Sequence, residues 1–293
     1  MTDDGITFGS VENDGLTLRY AETGAGDLVV LLHGFPEHWR SWRNVMTDLS
    51  STHRVVALDT RGIAGSDAAP DVAGYAVPRL VSDVVALIEG LGAEDVTLVG
   101  HDWGGFIAWE TAIARPDLLD RLVIVNAGHP FVFGELLRKD EAQREASRYM
   151  LAFRSERGEE LLARSDFARF REEILAPAQA RGALSEEDAA AYLDVWRDGK
   201  SLTAGLNYYR AAKVGPPSGE DGAPRDAAST TVRVPTLVIW GMADPYFVRD
   251  NLALHEVVPD LTLAGFEDSG HWIIHERPQD VARLIAGFAD AGR

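Results

Sequence analysis

At 293 residues, with 46% hydrophobic and 25% charged side chains, the chain can form one large domain or two small ones around a sizeable core. Its formal net charge of −18, with Lys and Arg scattered along it, argues against nucleic acid and anionic membrane surfaces as partners and favours small neutral or cationic ones. The absence of Cys excludes disulfides, thiolate metal sites and a thiol nucleophile.

The opening "MTDDGITFGS" has no basic stretch leading into an apolar one, and no apolar run approaches the ~20 residues that span a bilayer. The expectation is a soluble, cytoplasmic protein. "VENDGLTLRY" reads as an antiparallel hairpin turning at Asn13, Asp14 and Gly15. Beyond it, short apolar runs alternate with helical patterns: "LVVLL" (28–32), "VVAL" (55–58), "VTLVG" (96–100), "LVIVN" (122–126), "TLVIW" (236–240) and "LTLAG" (261–265). That alternation predicts an α/β fold, a mostly parallel sheet of roughly eight strands with helices on both faces.

The alternation lapses between Pro130 and Gly215, where helix signals take over. Residues 130–215 are therefore expected to form an inserted helical cap, and residues 1–129 and 216–293 the core. Within the insert, Ser185 and Asp188 form a capping-box pattern opening "EEDAAAYLDVWRD", which Gly199 closes. The Pro/Gly-rich "GPPSGEDGAPRDAAST" (215–230) returns the chain to the sheet.

The chemistry starts at "GHDWGG". Gly100, Asp102 and Gly104 match the strand-to-helix elbow that holds a nucleophile on a sharp turn; read alone, Asp102 fits a helix N-cap equally well. Such an elbow needs an acid and a histidine later in the chain. Asp244 follows the "TLVIW" strand and His271 follows "LTLAG", both at carboxyl ends of strands, where open α/β sheets build their sites. His275, Glu267, Asp268 and Asn126 are competitors. His275 lies further from its strand, Glu267 and Asp268 lie too near His271 in sequence to reach behind its ring, and the Asn126 amide cannot support a positive charge. Backbone N–H groups of Trp103 and of Phe35, in the "HGFPE" loop after the first parallel strand, are the candidate oxyanion donors, and His33 in that loop is read as structural.

A carboxylate with a reference pKa of ~3.9 is already anionic at neutral pH. Its natural target is a saturated carbon bearing a leaving group, because the product is then an alkyl ester, whereas attack on an ester would give an anhydride. His271 would next direct water onto the ester carbon, with Asp244 orienting its ring. Two reactions fit: opening of an epoxide, or displacement of halide from a haloalkane.

With "HGFPEHWRSW", "GHDWGG", "LNYYR", the Asp after "TLVIW" and "SGHW", the chain resembles the epoxide hydrolases of the α/β-hydrolase superfamily over most of its length. The resemblance implies two tyrosines on the insert that bind and protonate the epoxide oxygen. Tyr209, in the segment Asn207 to Arg210, matches one; Tyr149, nearly fifty residues after the nucleophile, matches the other. Leu202, Leu206 and Tyr209 share a helical face, which leaves Tyr208 to packing. One departure is Ala64 in "RGIAGSD", where the family usually has glycine.

Haloalkane dehalogenase is the alternative enzyme, although Phe35 stands where its halide-binding Asn is expected. Fluoroacetate dehalogenases carry an Arg where this chain has Trp103. A non-catalytic binding protein of the same fold predicts a damaged triad, which this chain does not show. The expected substrate is a small apolar epoxide with water, in a pocket lined by Phe35, Trp39, Trp103, Phe131 and Phe133. No metal or organic cofactor is required, there is no H-E-x-x-H, P-loop or dinucleotide motif, and a homodimer is left open.

Overall fold

The computed structural model describes residues 5–218 and 225–291; residues 219–224 of the predicted return loop and the first four residues of the chain lie outside this set. Eight strands form one sheet: β1 (Thr7–Asn13), β2 (Leu16–Gly24), β3 (Leu28–Leu32), β4 (Arg54–Leu58), β5 (Val96–His101), β6 (Arg121–Val125), β7 (Thr236–Gly241) and β8 (Leu261–Phe266). Their order is β1-β2-β4-β3-β5-β6-β7-β8. The β1–β2 and β2–β4 pairs are antiparallel and all others parallel. Asp14 and Gly15 both take positive φ, 53° and 75°, the backbone twist a two-residue hairpin turn needs.

The continuous apolar runs that became β3 to β7 belong to strands covered on both faces, whereas β8, at the sheet edge, is partly exposed. Alternation along each strand divides them between two cores. Leu28, Val30, Leu32, Leu98, Ile124 and Val238 point to one side. Val29, Leu31, Val99, Val123 and Ile239 point to the other, under the helices Arg43–Leu49 and Pro278–Ala289. Fully burying each such side chain is worth about 1.5–3 kcal/mol, so a register slip in a central strand would be costly.

Between Pro130 and Ala212 the described chain is helical, and its apolar residues, Phe153, Phe170, Tyr192, Trp196 and Tyr209 among them, complete the first core. Ser185 caps the helix Glu186–Trp196 by accepting from the Asp188 N–H at 3.0 Å, and Gly199, at φ 72°, separates it from the helix Lys200–Ala212. The insert is tied to the sheet domain by Trp196 Nε1, which donates to the Pro36 carbonyl at 2.8 Å, and by the Tyr208 hydroxyl, which donates to the Arg61 carbonyl at 2.8 Å. Tyr208 is thus a packing residue. Ala64 takes the left-handed backbone that glycine would adopt more cheaply, with φ 46°. Contacts from the insert hold that loop: Lys200 Nζ donates to the Ala64 carbonyl at 2.9 Å, and the Ala64 N–H donates to Ser201 Oγ at 3.2 Å. No helix among the described residues is long and apolar enough to cross a membrane.

Candidate active site

The elbow is built by exclusion of side chains. A Cβ on Gly100 would lie 2.2 Å from the Gly104 carbonyl oxygen, and one on Gly104 would lie 2.1 Å from that of Leu32. Only glycines let β5 turn directly into the helix Trp103–Ala114 against β3. Asp102 sits on the turn at φ 51°, ψ −119°, and its side chain makes no capping bond to that helix. A strained backbone of this kind costs about 1–3 kcal/mol, which neighbouring structure must supply.

The two oxygens of Asp102 are differentiated. Oδ1 accepts the Phe35 N–H at 2.8 Å, whereas Oδ2 faces His271 Nε2 at 3.5 Å. Trp103, the other predicted oxyanion donor, opens the helix immediately after Asp102. His33, beneath this loop, donates from Nδ1 to the Gly34 carbonyl at 2.9 Å and accepts the Thr60 N–H on Nε2 at 3.0 Å. Burial holds it below the usual histidine range, consistent with a neutral structural ring.

The Asp244 side chain is fully buried and accepts from His271 Nδ1 on Oδ2 at 2.8 Å. Two further donors fix it: Asn126 Nδ2 at 2.6 Å on the same oxygen, and the Tyr246 N–H at 2.7 Å on Oδ1. Asn126, one of the competitors for the acid position, therefore supports Asp244. Glu267 and Asp268 are drawn away into pairs with Arg249 and Arg277, and His275 is engaged by Glu37. Burial disfavours a charge on His271, yet Asp244 and Asp102, by proximity and hydrogen bonding, outweigh it and push the ring up to about 10. At neutral pH His271 is an imidazolium held between two carboxylates.

Tyr209 and Tyr149 lean over this group from the insert, with ring centroids 6.5 Å apart. Burial, reinforced by the charge of Asp102, raises both phenols well above their ordinary range, so both hydroxyls keep their protons; hydrogen bonding from Trp103 and Tyr149 only partly offsets this at Tyr209. A cavity of about 170 Å³ runs from Asp102, His271 and the tyrosines between Phe35, Phe153, Phe170 and Trp272. A smaller one of about 40 Å³ shares Asp102 and Tyr209 and is walled by Trp103, Phe133 and Met150.

Two residues expected in the pocket lie outside it. Trp39 lies against Phe8, with ring centroids 5.3 Å apart, and packs into the core on the far face of the sheet, because the short helix after the "HGFPE" loop turns beneath it. Phe131 is partly buried in the first core and lines neither cavity. Conversely, Tyr246, Phe153 and Trp272 line the larger cavity beyond the residues expected there from sequence. Tyr246, two residues past Asp244, and Trp272, the last residue of "SGHW", carry a visible signal; Phe153 carries none beyond being aromatic. Among the described residues, no group of three or more His, Cys, Asp or Glu is placed to hold a metal ion.

Residues 27–278 match the model of the alpha/beta hydrolase fold family, and the chain belongs to that family. It is 33% identical to the AB hydrolase superfamily protein YfhM of Bacillus subtilis, over 97% of this chain and 98% of that protein. It is 32% identical to epoxide hydrolase 3 of Xenopus tropicalis, over 95% of this chain and 76% of that protein. Among solved structures, a mutant of an epoxide hydrolase from Bacillus megaterium superposes with a TM-score of 0.87 at 31% identity, covering 96% of this chain and 99% of that one.

Proposed function

We propose that this protein hydrolyses an epoxide to a vicinal diol through a covalent ester on Asp102. The observation that carries this reading is the division of labour between the Asp102 oxygens beneath two protonated tyrosines: Oδ1 is held by the Phe35 N–H, leaving Oδ2 as the attacking atom. Relatives named epoxide hydrolases, matching over nearly the whole chain, support the substrate class.

In the first step Asp102 Oδ2 displaces the ring oxygen from an epoxide carbon. The opened alkoxide takes a proton from Tyr209 or Tyr149, which an epoxide needs because alkoxide is a poor leaving group. Ester formation consumes the charge of Asp102, one of the two that hold the His271 proton. The ring then gives up that proton, balancing the one lost by the tyrosines, and becomes the base that draws a proton from water. Water attacks Asp102 Cγ, and the oxyanion on Oδ1 is stabilised by the Phe35 and Trp103 N–H groups, each worth roughly 3 to 4 kcal/mol. Collapse expels the substrate oxygen as an alkoxide, which takes the proton of the hydroxyl just added to Asp102 Cγ; the diol is released and Asp102 is left as the carboxylate. Apolar walls favour a small apolar epoxide, and no step calls for a metal or organic cofactor.

The test is intact-protein mass spectrometry of His271→Gln after separate exposure to epoxides and haloalkanes. The reading expects an adduct of the full epoxide mass mapped to Asp102. An adduct formed only from haloalkanes, lighter than the reagent by hydrogen halide, would transfer the assignment to dehalogenation.

A further inference from the structure

The cavity over Asp102 has a polar end that the reaction above does not use. Of the described residues that line it, Arg169 and Glu173 are the two exposed ones, with side chains 63% and 57% accessible; the rest are buried or half-buried. The cavity therefore opens to solvent beside them. Arg169 Nε donates to Glu173 Oε1 at 2.9 Å. Among the described residues no other hydrogen bond or ion pair engages either side chain, which leaves two guanidinium nitrogens and one carboxylate oxygen available.

Between this rim and the reacting centre stands Tyr246, whose ring packs edge-on against His271 at 4.9 Å and Tyr149 at 5.5 Å. Its backbone is bonded to Asp244 and Gln143, but its hydroxyl has no partner among the described residues. Burial, with the charges of Asp244, Asp102 and Glu173, raises that phenol above its ordinary range, so it stays a donor. The walls between are apolar, Phe153, Leu162, Phe170 and Trp272 among them.

The rim sits on a distorted stretch of the insert. Inside the helical stretch Gly158–Phe170, Ser165, Asp166 and Phe167 take left-handed φ of 54°, 54° and 60°, and the following turn, Arg171–Leu175, is π-helical, a winding frequent at functional sites. Asp166 fixes the distortion by accepting from Arg197 Nε at 3.1 Å and Arg171 Nη2 at 3.0 Å. Phe170 enters the cavity, its ring stacked on Trp196 at 5.6 Å, while Arg169 and Glu173 stay at the rim.

We propose that Arg169, Glu173 and Tyr246 form a subsite for a neutral hydrogen-bonding group, a hydroxyl or carboxamide, at the far end of the substrate. The substrate is then an epoxide that is apolar beside its ring and polar at its tail. This deepens the epoxide reading and rests on it for the reacting end. A carboxylate tail would gain Arg169 but meet Glu173, and an ammonium tail the reverse; each must compete with a pair already made. The net charge of −18 further disfavours an anionic tail. A hydroxyl or carboxamide donates and accepts at once, so it satisfies the available guanidinium N–H and carboxylate oxygen without breaking the pair.

The experiment compares terminal epoxides that carry, on alkyl spacers of graded length, a carboxamide, carboxylate, trimethylammonium or methyl end. At one spacer length wild type should favour the carboxamide over each of the other ends by about fivefold or more in kcat/KM, with the difference in KM. Glu173→Gln leaves Arg169 unopposed and should raise the carboxylate-to-carboxamide ratio about fivefold; Arg169→Gln should do the same for trimethylammonium, and both gains should fade in about 0.5 M salt. Tyr246→Phe should lower the carboxamide-to-methyl ratio. Each ratio is taken within one variant, so a general loss of activity cancels. Equal kcat/KM for all four ends in wild type overturns the proposal without any variant, and so does a ratio that stays fixed in Glu173→Gln or Arg169→Gln. Calorimetric binding of the corresponding diols reads the same preference without chemistry. If no epoxide alkylates Asp102 in His271→Gln, the reaction reading fails, while the subsite stands on tighter binding of the carboxamide diol and falls on equal binding of all four.

Discussion

Asn126 Nδ2 donates to Asp244 Oδ2 at 2.6 Å, the same oxygen that receives His271 Nδ1. Asn126 is fully buried at φ 40°, and it also bridges both backbone groups of Gly241, with Oδ1 accepting at 2.8 Å and Nδ2 donating at 3.2 Å. Asn126→Asp keeps the shape and tolerates the backbone but replaces a donor with an acceptor facing Asp244. We expect a loss of about 1–3 kcal/mol in denaturant-measured stability and a fall in kcat with little change in KM. Wild-type stability in this variant would show that the amide does not hold the acid.

Removing one hydroxyl should separate the two half-reactions. Tyr209→Phe keeps the ring packed between Phe35, Trp103 and Phe153 but takes away its proton. Stopped-flow measurement should show ester formation slowed about a hundredfold, while hydrolysis of the ester already formed is nearly unchanged. Normal alkylation in both Tyr209→Phe and Tyr149→Phe would remove the tyrosines from the mechanism.

The raised pKa of His271 makes a statement about stability. Its folded value of about 10 lies above the ordinary 6.5, so the paired imidazolium stabilises the folded chain fully below about pH 6.5. That contribution declines as pH rises and is gone above about pH 10. The stability advantage of wild type over His271→Gln, measured by chemical denaturation, should therefore shrink across this window. An advantage that grows with pH would contradict the pairing.

Gly34 leaves no room for a side chain beside the candidate nucleophile. An added Cβ would lie 2.5 Å from Asp102 Cβ and 2.6 Å from Oδ1. Gly34→Ala should therefore displace the carboxylate from the Phe35 N–H and reduce ester formation by about a hundredfold or more, with circular dichroism unchanged. Alkylation at the wild-type rate would mean that the Phe35 contact is dispensable.

Much of this arrangement was legible because its signals are local. The apolar runs that became β3 to β7 reflect burial on both faces, the Asp14–Gly15 turn reflects positive φ, and "GHDWGG" reflects a backbone crossing that only glycines permit. The chain order of Asp102, Asp244 and His271 at strand ends located the candidate site because a parallel sheet gathers its carboxyl ends on one edge. Tertiary structure alone decided which neighbours meet across long separations. It sent Trp39 to the far face of the sheet, although only three residues separate it from Phe35, and it turned Asn126 from a rival of Asp244 into its partner. It also joined Glu37, His101 and His275. The physical reason is that periodicity fixes the face on which a side chain points within one element. Which groups pair in the interior is set by packing between elements and by the cost of leaving a buried donor or acceptor unmatched.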